Sequence, residues 1–600
     1  MVDAAQSDPD TKASVGPLPE WNLTNLYPGH ESDALGNDLD AAAQCTAAFK
    51  VHLEGRVGDL SGTELGNAIA EYERLDEVMG RIMSYAQLVY AGDMSNAQNG
   101  KFYQSMQERV TDITRDLLFF TLEINRIEDA DLEEKMSAPE LAHYQPWLRD
   151  VRIFRPHQLS NESEKMLHEK SVTGRAAWVR LFEETVAGLR FAINGKDLTM
   201  SEALDQLSHN NAAVREATAR EIGRVLAANE KLFALVTNTL AKDKQIEDRW
   251  RNYPRPVSFR NRVNQVEDKV VEALVDAVTS HYEPIAHRYY ALKAKWFGVD
   301  RLNYWDRNAP LPEDHDAIIS WETARNTVLE AYHAFDPTMA EIGQRFFAEN
   351  WIDARPRPGK TPGAFSHPTV PSAHPYILLN YQGKTRDVMT LAHELGHGVH
   401  QMLAAKQGHL MSDTPLTLAE TASVFGEMLT FRAMLEARGE PGQRRVMLAT
   451  KVEDMINTVI RQIAFHQFES QIHDQRVAGE LTPNAIADIW MRVQGNSLGP
   501  SINFDDDYRP FWSYIGHFIH APFYVYAYAF GDCLVNSLYA VYQDAEQGFS
   551  KKYLDMLAAG GTLRHRELLA PFGLNASDPE FWAKGLAVIE GFIDELEAMG

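Results

Sequence analysis

Between Leu391 and Gln401 the chain reads Leu-Ala-His-Glu-Leu-Gly-His-Gly-Val-His-Gln, which contains His-Glu-x-x-His at residues 393–397. On a helix, positions four apart share a face, so His393 and His397 can offer two imidazole nitrogens to one Zn2+. Glu394 is not a ligand in that geometry. It sits beside the metal, where it can take a proton from a zinc-bound water and pass it to a departing amine. The chemistry is hydrolysis with water as nucleophile, the metal activating the water and polarising the scissile carbonyl. A chance match is expected about 0.05 times in a chain of this size, so the surrounding sequence has to decide.

A third ligand separates the classes of such sites. The metzincin pattern needs Gly and His at set offsets after the second histidine, but His400 and Leu403 stand there. The alternative is a glutamate from a following helix, as in two-His, one-Glu sites. Residues 416–427, Leu-Thr-Leu-Ala-Glu-Thr-Ala-Ser-Val-Phe-Gly-Glu, read as that helix, after a loop containing Gly408, Ser412 and Pro415. Glu420 is the expected ligand, and Glu427, two turns further on the same face, ranks second. A solvated carboxylate is the other reading of Glu420, but its neighbours are mostly apolar. His400 is expected to be a packing or supporting histidine and His409 an exposed loop residue. Two imidazoles, one carboxylate and an open position suit Zn2+, although Co2+ or Mn2+ could occupy the same donors.

These residues belong to a 600-residue chain that is 44% hydrophobic and 24% charged, long enough for several domains or one large catalytic body with an accessory part. Its 58 Lys and Arg face 84 Asp and Glu, a net charge of −26. Such a surface repels a phosphate backbone, and nucleic acid is not an expected partner. Two cysteines, Cys45 and Cys533, can build neither a disulfide framework nor a cysteine zinc knuckle. The acidic start, Met1 to Asp10, lacks the basic and apolar regions of a secretory signal, so the expectation is a cytoplasmic protein. Residues 510–531 carry no Asp, Glu, Lys or Arg and could span a bilayer by length. But His517, His520, Pro522 and the tyrosines Tyr514, Tyr524, Tyr526 and Tyr528 would be costly at that depth. A buried aromatic segment lining a cavity is expected, with no membrane partner.

The elements that must position the site are mainly helical. Helical periodicity runs through 65–90, 101–126, 270–296 and 446–477. Thr199 with Glu202 fits a capping box, and Thr482-Pro483 fits a helix start. Strand signals are few: Leu189 to Lys196 with an Asn-Gly turn, and Tyr376 to Tyr381. Residues 1–20 read as a flexible lead-in, 21–195 as an N-terminal helical domain, and 196–600 as the catalytic domain.

Residues 391–400 followed by Glu420-Thr421-Ala422-Ser423 resemble oligoendopeptidase F, within the thimet-oligopeptidase-like zinc peptidases. Other stretches agree: Leu18 to Leu23 with Leu26-Tyr27-Pro28, Thr173-Gly174 with Ala177-Trp178 and Leu181-Phe182, and Gly363-Ala364-Phe365-Ser366 with Pro375 to Asn380. His517-Phe518 with Phe523 to Ala529 resembles the C-terminal signature, so the resemblance covers nearly the whole chain from about residue 18.

That resemblance implies an elongated, gluzincin-type, mainly α metallopeptidase with a deep central channel and a small β-sheet beside the zinc helix. It implies one Zn2+ per chain and hydrolysis of short unfolded oligopeptides. It also implies a β-edge that binds substrate backbone by strand addition, a role that falls to Tyr376, Leu378 and Asn380; an ordinary buried strand is the alternative. A histidine donating to the substrate carbonyl would be His517, and a tyrosine serving the oxyanion would be Tyr528, with Tyr524 next. A dipeptidase or carboxypeptidase would need a cationic subsite, for which Arg461, Arg492 and Arg509 are candidates. A non-catalytic zinc-stabilised peptide binder has no need of Glu394.

Overall fold

The computed structural model describes residues 15–311, 318–544 and 548–600. Most of the expected lead-in lies outside them. From Val15, which is buried, the chain is packed, and Pro19 accepts a backbone hydrogen bond from Ala354.

The fold is mainly helical, as the periodicity predicts. Residues 65–90 lie in one helix, Gly62–Gly92, opened by a capping box between Ser61 and Glu64. The stretch 101–126 is divided between Ala97–Arg115 and Leu118–Ile124. Two long stretches carry a π-helical turn, Glu283–His287 and Ile456–Ile460. The first begins beside Pro284, whose missing N–H interrupts the regular ladder. Both expected caps, Thr199 with Glu202 and Thr482 before Pro483, are present.

The strands are short: β1 Phe191–Ile193, β2 Lys196–Leu198, β3 Leu302–Asn303, β4 Ile352–Asp353, β5 Phe365–His367, β6 Tyr376–Leu378 and β7 Ile502–Asn503. β1 and β2 form the hairpin that Asn194-Gly195 predicts, with both turn residues at positive φ. β3 pairs with β7 in parallel. The remaining three form a sheet in the order β4-β6-β5, with β6 parallel to β4 and antiparallel to β5.

The chain divides into two compact units, each assembled from three separated stretches: 1–155, 316–437 and 545–572 in one, 156–315, 438–544 and 573–600 in the other. The Asn194-Gly195 turn lies within the second. The first is built around the motif helix, Thr385–Ala404, whose Val388, Leu391, Leu395 and Val399 are fully buried along one stripe. Burying each such side chain is worth about 1.5–3 kcal/mol. Against this helix lies the glutamate helix, Thr421–Ala437. The two approach closely because position 396 is glycine: a Cβ there would collide with the Ala422 carbonyl oxygen and stand 2.7 Å from Ser423 Cα. Tyr332, from the helix Trp321–Phe335, donates its hydroxyl to the Ala392 carbonyl at 2.6 Å.

Residues 510–531 belong to the second unit and fold in pieces. They run from a 3-10 helix through a short helix, His517–His520, into the helix Tyr526–Asp544. No helix among the described residues is long and apolar enough to cross a membrane.

The contact at Gly396 generates a test. Gly396→Ala is expected to lose about 1–3 kcal/mol of stability through overpacking, read by thermal or denaturant unfolding. Its zinc affinity is expected to fall as well, because the glutamate helix must back away from the two histidines.

Candidate active site

The motif helix places His393, Glu394 and His397 off its buried stripe, on consecutive turns. Its start is held by Asp387, whose carboxylate accepts from the backbone N–H groups of Gln382 and Lys384 at 2.8 and 3.0 Å. Glu420 stands at the junction between a short helix, Leu416–Ala419, and the glutamate helix. Three residues on, Ser423 donates its hydroxyl to Glu420 Oε2 at 2.7 Å and fixes that carboxylate. Tyr553 anchors the same helix start by donating to the Thr421 carbonyl at 2.8 Å.

Glu420 Oε2 lies 3.4 Å from His393 Nε2 and 3.5 Å from His397 Nε2. Ligand atoms at zinc bond lengths of about 2.0–2.1 Å in a tetrahedron stand about 3.4 Å apart. All three donor atoms fall within 4.8 Å of one another, so the two imidazoles and one carboxylate fit a zinc ion in both chemistry and spacing. Glu427, the second-ranked ligand, turns instead to the far side of His393 and accepts from its Nδ1 at 3.2 Å. That contact leaves Nε2 facing Glu420 and fixes the ring.

The electrostatics follow from burial and neighbours. Burial opposes a charge on His393, but the Glu427 hydrogen bond and the carboxylates of Glu420, Glu394 and Glu427 outweigh it and raise its pKa to about 9. Burial lowers His397 to about 4 despite Glu420. Glu394 is buried, which pushes its pKa up to about 7; Glu420 adds to the rise, while His393 and the Ser366 backbone oppose it. A carboxyl that exchanges its proton near neutrality is suited to general base and acid work. His400 is buried, as a packing histidine should be. His409 is not the exposed loop residue expected, because its Nε2 lies 3.0 Å from Asp76 Oδ2.

The second unit brings together His517, Tyr524 and Tyr528. His517 Nε2 lies 3.2 Å from the Tyr528 hydroxyl, and the Tyr524 and Tyr528 rings meet edge to face with centroids 5.2 Å apart. Tyr526 points away and is buried, its hydroxyl accepting from Asn264 Nδ2 at 2.9 Å. Of the candidate cationic residues, Arg509 is paired with Asp488 and Arg492 donates to Gln471.

The assignment of Tyr376, Leu378 and Asn380 to a substrate-binding edge is corrected. β6 is the central strand, paired on both sides, and Tyr376 and Leu378 are fully buried. The Tyr376 hydroxyl is spent on the Asn22 carbonyl, and Asn380 donates to the carbonyls of Thr361 and Gly363. The edge strand is β5. Ile377 N–H is used toward the β4 side, on Trp351 O, so its partner Ser366 turns its own backbone groups outward. There Ser366 meets the motif helix through Gln401. The signal for Ser366 was its place directly after Gly363-Ala364-Phe365. For Ser423 it was the spacing of three from Glu420.

Two family models match the chain: Peptidase family M3 over residues 206–588, and Oligopeptidase F over residues 123–191. Oligopeptidase PepF of Bacillus subtilis is 25% identical, the match covering 96% of this chain and 87% of the relative. Group B oligopeptidase PepB of Streptococcus agalactiae is 23% identical, with 98% of each chain covered. Among solved structures, a putative peptidase from Chlamydophila abortus has a TM-score of 0.87 at 21% identity, covering 98% of this chain and 99% of its own. Oligoendopeptidase-F from Enterococcus faecium has a TM-score of 0.68 at 22% identity, with 95% and 99% covered. Fold and family define a helical metalloendopeptidase. The chain belongs to peptidase family M3, and its residues 123–191 match the Oligopeptidase F model.

The position of Glu427 behind His393 carries a prediction. Glu427→Gln should weaken zinc binding by about 10–100-fold in chelator competition, with the unfolding transition little changed.

Proposed function

We propose that this peptidase hydrolyses short unfolded oligopeptides internally, with His393, His397 and Glu420 holding one zinc ion and Glu394 moving the proton. The observation that carries this reading is that Glu420 Oε2 stands at nearly equal distance from the Nε2 atoms of both histidines, with the carboxyl of Glu394 buried beside them. A zinc ion held there supplies Lewis acidity toward water and the scissile carbonyl.

The chain's own groups do the rest. Glu427 fixes the His393 ring, and Ser423 fixes the Glu420 carboxylate. Glu394, raised toward neutrality by burial, accepts the proton of the attacking water and returns it to the leaving amine. Strand addition, which the family resemblance implies, passes from β6 to the edge strand β5, where Ser366 would exchange its backbone contact with Gln401 for an extended peptide. The hydrogen-bonded pair His517 and Tyr528, with Tyr524 beside it, is assigned to the substrate carbonyl and the oxyanion on the family resemblance. The acidic composition and two cysteines support a cytoplasmic site of action.

The test is an internally quenched peptide about ten residues long with both ends blocked. Wild type is expected to cleave it internally. Glu394→Gln should retain one zinc and lose about 10²–10⁴ in kcat. Cleavage of free-ended peptides alone would replace the endopeptidase reading with a dipeptidase or carboxypeptidase. Retention of activity by Glu394→Gln would remove the proton-transfer role.

A second measurement addresses the tyrosine pair. Tyr528→Phe should lower kcat by about 10²–10³ with little change in KM if its hydroxyl serves the oxyanion. An equal loss in Tyr524→Phe and none in Tyr528→Phe would exchange the two assignments.

A further inference from the structure

A cavity of about 460 Å3 lies within the first unit and reaches the second histidine of the motif. Its volume is in the range of ligand pockets. One wall is the end of the motif helix, with His397, His400 and Met402, and another is the loop from β5 to β6, with Val370 and Pro371. β5 ends at His367, directly before Pro368 of that wall, so a peptide extended along β5 leads to this space. The remaining wall is the segment 409–414 together with Asp76 of the helix Gly62–Gly92.

The charges on this lining are one-sided. Its carboxylates are Asp76 and Asp413, and it holds no lysine or arginine. Asp76 Oδ2 lies 3.0 Å from His409 Nε2, and Asp413 Oδ1 accepts the Thr414 N–H at 3.0 Å. Among the described residues neither carboxylate is paired with a lysine or arginine. A protonated His409 would cancel one negative charge and leave the other, while burial keeps His374 and His400 neutral. Asp413 is exposed where it lines the cavity, and the backbone fixes its place. The Gly561 N–H donates to the Met411 carbonyl at 2.8 Å, and a Cβ at Gly561 would stand 2.5 Å from the Asp413 carbonyl oxygen. An accessible carboxylate without a countercharge, beside an apolar wall, is complementary to a long cationic side chain: the methylenes cover the wall while the head reaches the acid.

We propose that this cavity is a specificity pocket of the peptidase, taking a lysine or arginine side chain of the bound peptide. The inference rests on the hydrolytic role proposed for His393, His397, Glu420 and Glu394, and adds the class of residue that a preferred substrate carries. Asp413 takes the cationic head, Asp76 adds a second negative charge, and the methylenes lie against Val370, Pro371 and Met402. Because the pocket reaches His397, the basic residue stands near the scissile bond.

The probes are blocked ten-residue peptides in which one position at a time holds lysine, its uncharged counterpart norleucine, or glutamate. Two readouts are taken: kcat/KM for cleavage by the zinc-loaded wild type, and calorimetric binding to zinc-loaded Glu394→Gln. At one position lysine is expected to exceed norleucine by about tenfold in both, with glutamate below norleucine. Asp413→Asn, which keeps an acceptor for the Thr414 N–H, should bring the lysine-to-norleucine ratio to within about threefold. A ratio near one at every position, or an unchanged ratio in Asp413→Asn, would overturn the proposal. If no peptide is cleaved, the hydrolytic reading fails and the binding ratio alone decides whether the pocket takes a basic side chain. If Asp413→Asn does not fold, the lysine, norleucine and glutamate order on wild type decides.

Discussion

Everything at the candidate metal site depends on how closely two helices approach. The histidines stand on one helix and the carboxylate on another, so the spacing of the donors is set by the distance between backbones. Gly396 sits between His393 and His397 in the motif, and its missing side chain lets the motif helix lie against Ala422 and Ser423. Tyr332 pins the motif helix from one side. Tyr553 pins the start of the glutamate helix, with its ring against Phe425, centroids 4.4 Å apart. Metal sites need positional precision of about half an ångström, and the packing of these two helices sets the spacing of the donors.

A second line of support reaches the motif helix through the sheet. Asp353 on β4 and Lys360 are both fully buried at the side chain and lie 2.8 Å apart. Lys360 Nζ also donates to the carbonyls of Asp353, Arg355 and Leu379, and Arg357 takes the other Asp353 oxygen. A buried ion pair offsets its desolvation only when its hydrogen bonds are filled, and here they are. The pair ties β4 to the chain leaving β6, and β6 in turn carries β5. β5 then meets the motif helix, Ser366 exchanging hydrogen bonds with Gln401. A charge pair remote from the chemistry thereby supports the sheet that lies against the motif helix.

How much of this was legible in the sequence depended on the range of the interaction. His393, His397 and Glu394 follow from helical spacing alone, and Glu420 from an otherwise apolar helix after a short loop. Glu427 was legible as lying on the right face, but its partner, the far nitrogen of His393, depends on how two helices dock. The strand at Tyr376 was legible and its neighbours were not. β4 has two residues in regular pairing and β5 three, too few for a local pattern, and without them a central strand cannot be told from an edge. Tyr524 does meet Tyr528, but not as two residues four apart on one helix face: the helix starts at Tyr526, and Tyr524 lies in the turn before it.

The discontinuity of the two units has a consequence for synthesis. The unit that carries the motif helix is completed by residues 545–572, which reach the ribosome exit more than a hundred residues after Glu420. Tyr553, which fastens the start of the glutamate helix, belongs to that late segment. Until it emerges, the helix bearing the third donor lacks its anchor, and contacts of such long sequence separation form last. A partly translated chain therefore lacks this anchor until residue 553 has been added, so the helix that carries the third donor is fastened only late in synthesis.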